Sequence, residues 1–149
     1  MEGRTVRIGL VQQGVTADSR YNLRKTLSLA KEAALDGAEI ICLPELFRTP
    51  YFPQYEGRDA SFFAEPVPGQ STRAFSGLSR KYQVTVIVPV FERGADGRFY
   101  NTAVVIDNGV ILESPYRKVH IPYDPLFFEK NYFHPGNRYA VYSTPVARI

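Results

Sequence analysis

Residues 5–12 read TVRIGLVQ, in which Ile8 and Leu10 share one face of an extended chain and Gly9 lies on the other. Alternation with a period of two predicts a β-strand. A second short apolar run, residues 39–43 (EIICL), predicts another strand. The fold therefore depends on the segment that connects these two runs.

The connecting segment has the periodicity of an amphipathic helix that begins near Ser19. Asp18 or Ser19 can cap its first turn, and Gly37 can end it in a left-handed conformation. Its inward face is predicted to hold the regularly spaced apolar residues Leu23, Leu27, Ala30 and Ala34. Strand, helix and strand form a βαβ unit, whose two strands are parallel and whose crossover is right-handed.

The βαβ unit also predicts where a ligand would bind. In open α/β sheets, ligands bind beyond the carboxyl ends of the strands. Pro44 and Glu45 directly follow the second strand. Residues 47–69 then lack a clean period and predict a long loop, with a helical turn near residues 61–64.

The pattern after this loop predicts one more helix and then mainly strands. Ser71 or Thr72 opens the helix, which ends near Tyr82, and its predicted inward face is Phe75, Leu78, Ser79 and Tyr82. Asn108-Gly109 predicts a tight hairpin turn, because both residues tolerate positive φ angles. The predicted strands are residues 84–91, 100–106, 110–116, 139–143 and 146–149. Because the last of these stops without a turn or cap, we expect the sequence to continue in the complete protein.

Composition is that of an ordinary packed domain. The chain has 149 residues, of which 44% are hydrophobic and 22% charged. The net charge of +3 comes from scattered basic residues, so we expect no nucleic-acid partner. No apolar run approaches the roughly 18 residues of a membrane span, and no signal peptide is predicted, so we expect a cytoplasmic protein. One cysteine and two histidines without ligand spacing predict no disulfide framework and no metal site.

Two charged residues stand where strands give way to loops. Glu45 follows one predicted strand, and Lys118 follows another. A carboxylate in such a position can act as a general base, and a fixed ammonium can stabilise an oxyanion. Taken singly, each is more commonly a solvated surface side chain. The assignment therefore depends on the sequence around them.

Four short sequence words, in order along the chain, surround or follow these two residues. They are residues 42–47 (CLPELF), 101–103 (NTA), 116–122 (YRKVHIP) and 128–133 (FEKNYF) with Pro135-Gly136. Together they resemble the signatures of the nitrilase superfamily of carbon-nitrogen hydrolases, and most closely its N-carbamoylputrescine amidase-like members. The resemblance covers nearly the whole chain, and four words in order do not readily occur by chance.

The resemblance implies an α/β fold of the αββα sandwich type, of which residues 1–149 would be the amino-terminal portion of a single domain, incomplete at its carboxyl end. It also implies a Glu-Lys-Cys triad without a cofactor. Glu45 would take the thiol proton, Lys118 would stabilise the tetrahedral intermediate, and Glu129 would be the second glutamate beside the lysine. The family's cysteine follows a strand that here begins near Val146, so it has no counterpart in these residues. We therefore expect the chain alone to be inactive.

Three further residues invite a role in the site. Cys42 precedes Glu45 within a strand, so we interpret it as a small buried side chain and not as the nucleophile. Tyr51 and Phe52 are candidates to line the substrate pocket, although aromatic residues after a strand more often serve packing.

The predicted function is hydrolysis of a non-peptide C–N bond in a small linear amide or carbamoyl amide, with N-carbamoylputrescine-like substrates first. One alternative is an aliphatic amide or β-ureido acid hydrolase, which would need an arginine or similar group for the substrate carboxylate. The other is a non-catalytic fragment or degenerate relative that acts in assembly. The resemblance implies a homodimer or higher homo-oligomer, without a membrane partner.

Overall fold

The computed structural model describes residues 4–149, which fold around one six-stranded sheet. The elements in chain order are β1 (Ile8–Leu10), α1 (Ser19–Leu35), β2 (Ile40–Cys42), α2 (Gln70–Tyr82), β3 (Thr85–Arg93), β4 (Phe99–Asp107), β5 (Val110–Ile111) and β6 (Tyr116–Arg117). Short 3-10 helices occupy Phe52–Gln54, Ser61–Phe63 and Glu129–Asn131. The strand order is β1-β2-β3-β4-β5, and β6 also pairs with β4.

The first three strands are parallel and the rest are antiparallel. β1 pairs with β2 and β2 with β3 in parallel, which confirms the predicted βαβ unit. β3 and β4 form a long antiparallel hairpin. At the next turn Asn108 and Gly109 have φ angles of 47° and 83°, as the Asn-Gly pair predicts. The carboxyl ends of β1 and β2 therefore lie at one edge of the sheet.

α1 begins and ends as its sequence predicts, and α2 ends as predicted but begins at Gln70, one residue before Ser71. The Asp18 carboxylate caps α1 by accepting hydrogen bonds from the backbone N–H groups of Arg20 and Tyr21, each at 2.9 Å. The chain leaves α1 through Gly37, whose φ is +86°. At the start of α2, Thr72 Oγ1 accepts a hydrogen bond from the Gly69 N–H at 2.8 Å. These contacts satisfy backbone groups that a helix end leaves unpaired.

The main core lies between the two helices and one face of the sheet. The predicted inward apolar residues of both helices belong to this core or pack against it, and α1 and α2 also contact each other. Its fully buried members include Ala30, Phe75, Ile41, Val86, Val88, Val104 and Ile106. A second cluster joins the loop after β2 to β3 and to the segment near Glu129–Asn131; it consists of Leu46, Phe52, Ala60, Phe91, Tyr132 and Phe133.

The opposite face of the sheet is covered less completely. Ile8 and Leu10 of β1 have relative exposures of 57% and 77%. The sequence predicts that these two residues share a face, and the structure places Gly9 toward the helix, where a Cβ would lie 2.9 Å from Ala33 Cβ. Residues 4–149 thus supply one sheet and one helix layer of the predicted sandwich.

Three of the predicted strands are wrong. Residues 110–116 do not form one strand, because Ser114 adopts a φ of +64° and splits the segment into β5 and β6. Residues 139–143 and 146–149 form no strands of the sheet. They fold back on each other through a single bridge between Ser143 and Arg148 around a turn in which Thr144 Oγ1 accepts the Ala147 N–H. Apolar alternation predicts an extended chain but not the partner it pairs with.

Within residues 4–149, neither helix is both long enough and apolar enough to cross a membrane.

Candidate active site

Glu45 lies just beyond the carboxyl end of β2, at the sheet edge where the βαβ unit predicts a site. The chain turns sharply here, since Leu46 has a φ of +50°. The side chain of Glu45 is 49% exposed. Asn101, on β4, donates a hydrogen bond from Nδ2 to Glu45 Oε1. The carboxylate is therefore held by the sheet while one side of it stays open.

Lys118 follows β6 directly, and its backbone is fixed on both sides. Its N–H donates to the Asn101 carbonyl at 2.8 Å, and its carbonyl accepts from the Gly136 N–H at 2.8 Å. Its Nζ lies 3.2 Å from Glu45 Oε1 and 3.0 and 2.9 Å from the two Glu129 oxygens. One ammonium thus bridges two carboxylates from distant parts of the chain.

Glu129 is the buried member of this group. Its side chain is 2% exposed, in the 3-10 helix Glu129–Asn131. In addition to Lys118, Tyr51 donates a hydrogen bond to the Glu129 carboxylate, from Oη to Oε1 at 2.8 Å. A buried carboxylate is tolerated when it is paired and hydrogen-bonded, and both conditions are met here.

The surroundings of Lys118 favour its charged form. Partial burial removes solvation from the ammonium and by itself lowers its pKa, but the hydrogen bond to Glu129 and the charge of Glu45 outweigh this effect. The pKa of Lys118 is therefore raised, and it remains an ammonium across the physiological range. Burial and the hydrogen bond to Glu129 likewise raise the pKa of Tyr51, so its hydroxyl remains a donor.

This arrangement separates two carboxylates by their environment. Glu129 is buried and fully engaged, so it serves to fix the ammonium. Glu45 is the exposed carboxylate and can exchange a proton with a group in the adjacent space. The Lys118 ammonium points between them and can donate to an oxygen that develops negative charge. The geometry places a carboxylate that can accept a proton and an ammonium that can donate a hydrogen bond around one point.

An open groove of about 860 Å³ begins at Lys118. Its walls are residues 118–122 and residues 133–135, together with Lys130. The lining includes Phe133, His120 and His134. The groove is large enough for a small linear molecule that reaches Lys118.

The structure brings together Glu45, Lys118 and Glu129, the three residues predicted to be catalytic; their roles stay predictions. Tyr51 joins them through Glu129. Phe52 does not, because its ring is only 8% exposed and packs against Phe91 and neighbouring aromatic rings. The Phe52 ring therefore serves packing, and its contact with substrate stays a prediction.

Asn101 is a site residue that sequence reasoning did not assign. It contacts Glu45 through its side chain and Lys118 through its carbonyl. The signal available was the Asn-Thr-Ala word, which carried the resemblance without a role. Only the pairing of β4 with β6 places that word between the two charged residues.

Cys42 is the last residue of β2. It is partly buried, and burial raises the pKa of its thiol. A raised pKa reduces the thiolate fraction, and the thiolate is the nucleophilic form.

As for metals, residues 4–149 contain no group of three or more His, Cys, Asp or Glu side chains arranged to hold an ion.

Known proteins share both the sequence and the fold of this chain. Residues 7–149 match the carbon-nitrogen hydrolase family. The chain is 34% identical to omega-amidase NIT2-B of Xenopus laevis, over 96% of this chain and 52% of the relative. It is 31% identical to beta-ureidopropionase of Arabidopsis thaliana, over 98% of this chain and 38% of the relative. The chain therefore spans about half the length of the first of these relatives, and less of the second.

A solved structure shows the same architecture. The carbon-nitrogen hydrolase from Helicobacter pylori G27 superposes with a TM-score of 0.80 at 34% identity, over 89% of this chain and 45% of that one. This similarity confirms the predicted nitrilase-type α/β fold. The family match, the relatives and the shared fold agree with the order of the four sequence words: the chain belongs to the carbon-nitrogen hydrolase family.

Proposed function

We propose that the protein to which this chain belongs hydrolyses a C–N bond in a small linear amide or carbamoyl amide. The observation that carries the proposal is the Lys118 ammonium, held within 3.2 Å of Glu45 and 2.9 Å of Glu129. Acyl transfer needs a base for the nucleophile and a donor for the tetrahedral oxyanion, and this group offers both.

The proposed reaction proceeds in two steps. Glu45 accepts the proton of a cysteine thiol while the sulfur attacks the substrate carbonyl, and Lys118 donates a hydrogen bond to the resulting oxyanion. The tetrahedral intermediate collapses to a thioester, and the leaving nitrogen takes the proton from Glu45. Water, deprotonated by Glu45, then attacks the thioester, and the acid leaves as the thiol regains its proton.

We place the nucleophilic cysteine outside residues 1–149. Cys42 is the only cysteine of the chain. Its place within β2 and its raised pKa argue against a nucleophilic thiolate. The chain alone then holds the base and the oxyanion donor without the attacking group. A non-catalytic fragment would have the same features, so activity must be measured for residues 1–149 and for the full-length protein.

The groove next to Lys118 bears on the choice of substrate. N-carbamoylputrescine, the first candidate, carries an ammonium at its far end. The groove lining instead presents Lys130 together with His120 and His134, and all three side chains are exposed. The charge of Lys130 attracts a carboxylate and repels an ammonium. This observation favours the acidic member of the second candidate, a β-ureido acid, over N-carbamoylputrescine. The names of the two relatives, omega-amidase and beta-ureidopropionase, accord with it.

Ammonia release by the full-length protein tests the proposal. Substrates matched in length and bearing a terminal carboxylate, a neutral group or an ammonium should all be compared, first with the full-length protein and then with residues 1–149 alone. We expect turnover by the full-length protein, fastest with the carboxylate, and none by the short chain. Clear turnover by residues 1–149 that depends on Cys42 would contradict our placement of the nucleophile. Absence of turnover with every amide would favour a non-catalytic relative.

A Lys130→Glu variant separates the two substrate candidates. If the groove recognises charge, this variant should lose preference for the carboxylate and gain it for the ammonium. Lys31→Glu, on the exposed side of α1, is the matched control with the same change in net charge.

We further propose a homodimer, as the family resemblance implies; sedimentation of the full-length protein checks it.

A further inference from the structure

A second ion pair lies directly beside the proposed site. Glu92 on β3 is 7% exposed. Arg117 on β6 donates two hydrogen bonds to its carboxylate, from Nε to Oε2 at 2.9 Å and from Nη2 to Oε1 at 2.5 Å. Thr102 on β4 donates from Oγ1 to Glu92 Oε2 at 2.5 Å. The carboxylate thus links three neighbouring strands. A bidentate hydrogen-bonded pair of this kind fixes the orientation of the two side chains as well as pairing their charges.

The guanidinium of Arg117 is also held on its flat side. It lies 3.7 Å from the ring centre of Tyr100, whose hydroxyl donates to Asp96 Oδ2 at 2.6 Å. The main chain of Arg117 is closely packed as well, because a Cβ on Gly136 would lie 2.2 Å from the Arg117 carbonyl oxygen. Arg117 is therefore restrained at its side chain and at its backbone.

These restraints act on a very short strand. β6 has two residues, Tyr116 and Arg117, which pair with Ala103 and Thr102 of β4. The preceding chain departs from the sheet at Ser114, whose φ is +64°. The next residue is Lys118. Any slip of β6 along β4 would move the Lys118 ammonium away from its carboxylates.

We propose that Glu92 and Arg117 are positioning residues, which lock β6 onto β4 and so set the Lys118 ammonium between Glu45 and Glu129. The expected effect on catalysis rests on the proposed function, whereas the expected effect on the position of the Lys118 ammonium does not. A pair that merely stabilised the fold would affect activity only through the amount of folded protein. A positioning pair would affect the reaction of fully folded protein.

Replacing the whole pair by apolar side chains separates these two roles. Removing one partner of a buried ion pair leaves the other uncompensated, whereas replacing both often restores stability. The variants are Arg117→Met, Arg117→Lys and the double variant Glu92→Met with Arg117→Met, made in the full-length protein. Arg24→Met, on the exposed face of α1, is the control for loss of an arginine. Thermal unfolding, kcat and KM for a linear amide are measured for each.

We expect kcat to fall on the order of 10- to 100-fold in both Arg117 variants, with KM within about threefold, because Lys118 acts in the transition state. Arg117→Lys should not restore kcat, because lysine keeps the charge but cannot donate the bidentate pair of hydrogen bonds to Glu92. The double variant should recover thermal stability while its kcat stays low. Recovery of kcat together with stability would overturn the proposal, as would an unchanged kcat in folded Arg117→Met.

A second measurement does not depend on turnover. The rate at which an acylating reagent modifies Lys118, followed by mass spectrometry at about pH 9, reports how firmly the two carboxylates hold the ammonium. We expect labelling to rise severalfold in the Arg117 variants and the double variant, and to stay unchanged in Arg24→Met. Unchanged labelling in all of them would refute the positioning role. If the wild-type protein hydrolyses no amide, the proposed function fails and the labelling result still decides this inference.

Discussion

Tyr51 Oη lies 2.8 Å from Glu129 Oε1 and donates a hydrogen bond across a sequence separation of 78 residues. The hydroxyl and the Lys118 ammonium together satisfy a carboxylate that is almost completely buried. Glu129 in turn fixes Lys118. The loop after β2 therefore contributes to the placement of the ammonium through Glu129.

Tyr51→Phe should reduce both stability and turnover. Removing the hydroxyl leaves one oxygen of a buried carboxylate with one donor fewer, which costs about 1.5 kcal/mol for a hydrogen bond to a charged group. Chemical denaturation measures the first effect and kcat the second. Tyr123→Phe is the matched control, because Tyr123 donates to Glu56 Oε1 at the same 2.8 Å on the exposed surface. Equal losses in both variants would show that burial of Glu129 is not what matters.

Lys118→Ala should abolish most turnover in the full-length protein. It removes the charge that meets the oxyanion, and loss of such a donor costs on the order of 100- to 1000-fold in kcat. Lys130→Ala, in the groove lining, keeps the ammonium at the site and should chiefly change KM. A Lys118→Ala protein that is folded and fully active would remove Lys118 from the mechanism.

Cys42→Ala should leave turnover nearly unchanged. The substitution trims one partly buried atom from β2 at a cost of about 1 kcal/mol. Steady-state kinetics and thermal unfolding of the same preparation check both statements. A folded Cys42→Ala protein without activity would make Cys42 the nucleophile after all.

The raised pKa of Lys118 makes part of the stability depend on alkaline pH. A lysine whose pKa is higher in the folded state binds its proton more tightly there, so its contribution is fully present below the unfolded pKa of about 10.4. The contribution is lost as pH rises through the higher folded value. We therefore expect the difference in unfolding free energy between wild type and Lys118→Met to narrow above about pH 10.4. Chemical denaturation of both proteins at a series of pH values measures this difference.

Two glycines should respond oppositely to alanine. Gly109 has a φ of +83°, and a Cβ there would lie 2.7 Å from Arg80 Cβ. Gly109→Ala should cost about 1 to 3 kcal/mol. Gly77 lies inside α2 with open space around it, so Gly77→Ala should stabilise the protein by about 0.5 to 1 kcal/mol. Denaturation midpoints of the two variants give the comparison, and a stabilising Gly109→Ala would contradict the turn assignment.

Residues 1–149 alone should associate in solution. Ile8 and Leu10 are large apolar side chains exposed on one face of β1, and exposed apolar strands pair or stick to other chains. Light scattering during concentration is the measurement. An Ile8→Lys, Leu10→Lys variant should remain dispersed, and a wild-type chain that stays monomeric at high concentration would refute the expectation.

Local patterns in the sequence determined the elements whose partners lie nearby. The period of α1, its Asp18 cap and Gly37 exit, and the Asn108-Gly109 turn are set by residues within one or two turns of each other, and the structure agrees with all of them. The family resemblance likewise depended only on short words in order. Such signals need no knowledge of the rest of the chain.

The tertiary structure alone decided which residues meet. Alternation along residues 110–116 and 139–149 indicated extended chain but could not reveal the positive φ at Ser114 or the missing sheet partner. The register of β4 with β6 places Asn101 beside Lys118, and it pairs Arg117 with Thr102. A hydrogen bond or ion pair between distant residues depends on strand register, and register is fixed by packing across the whole sheet rather than by any local stretch of sequence.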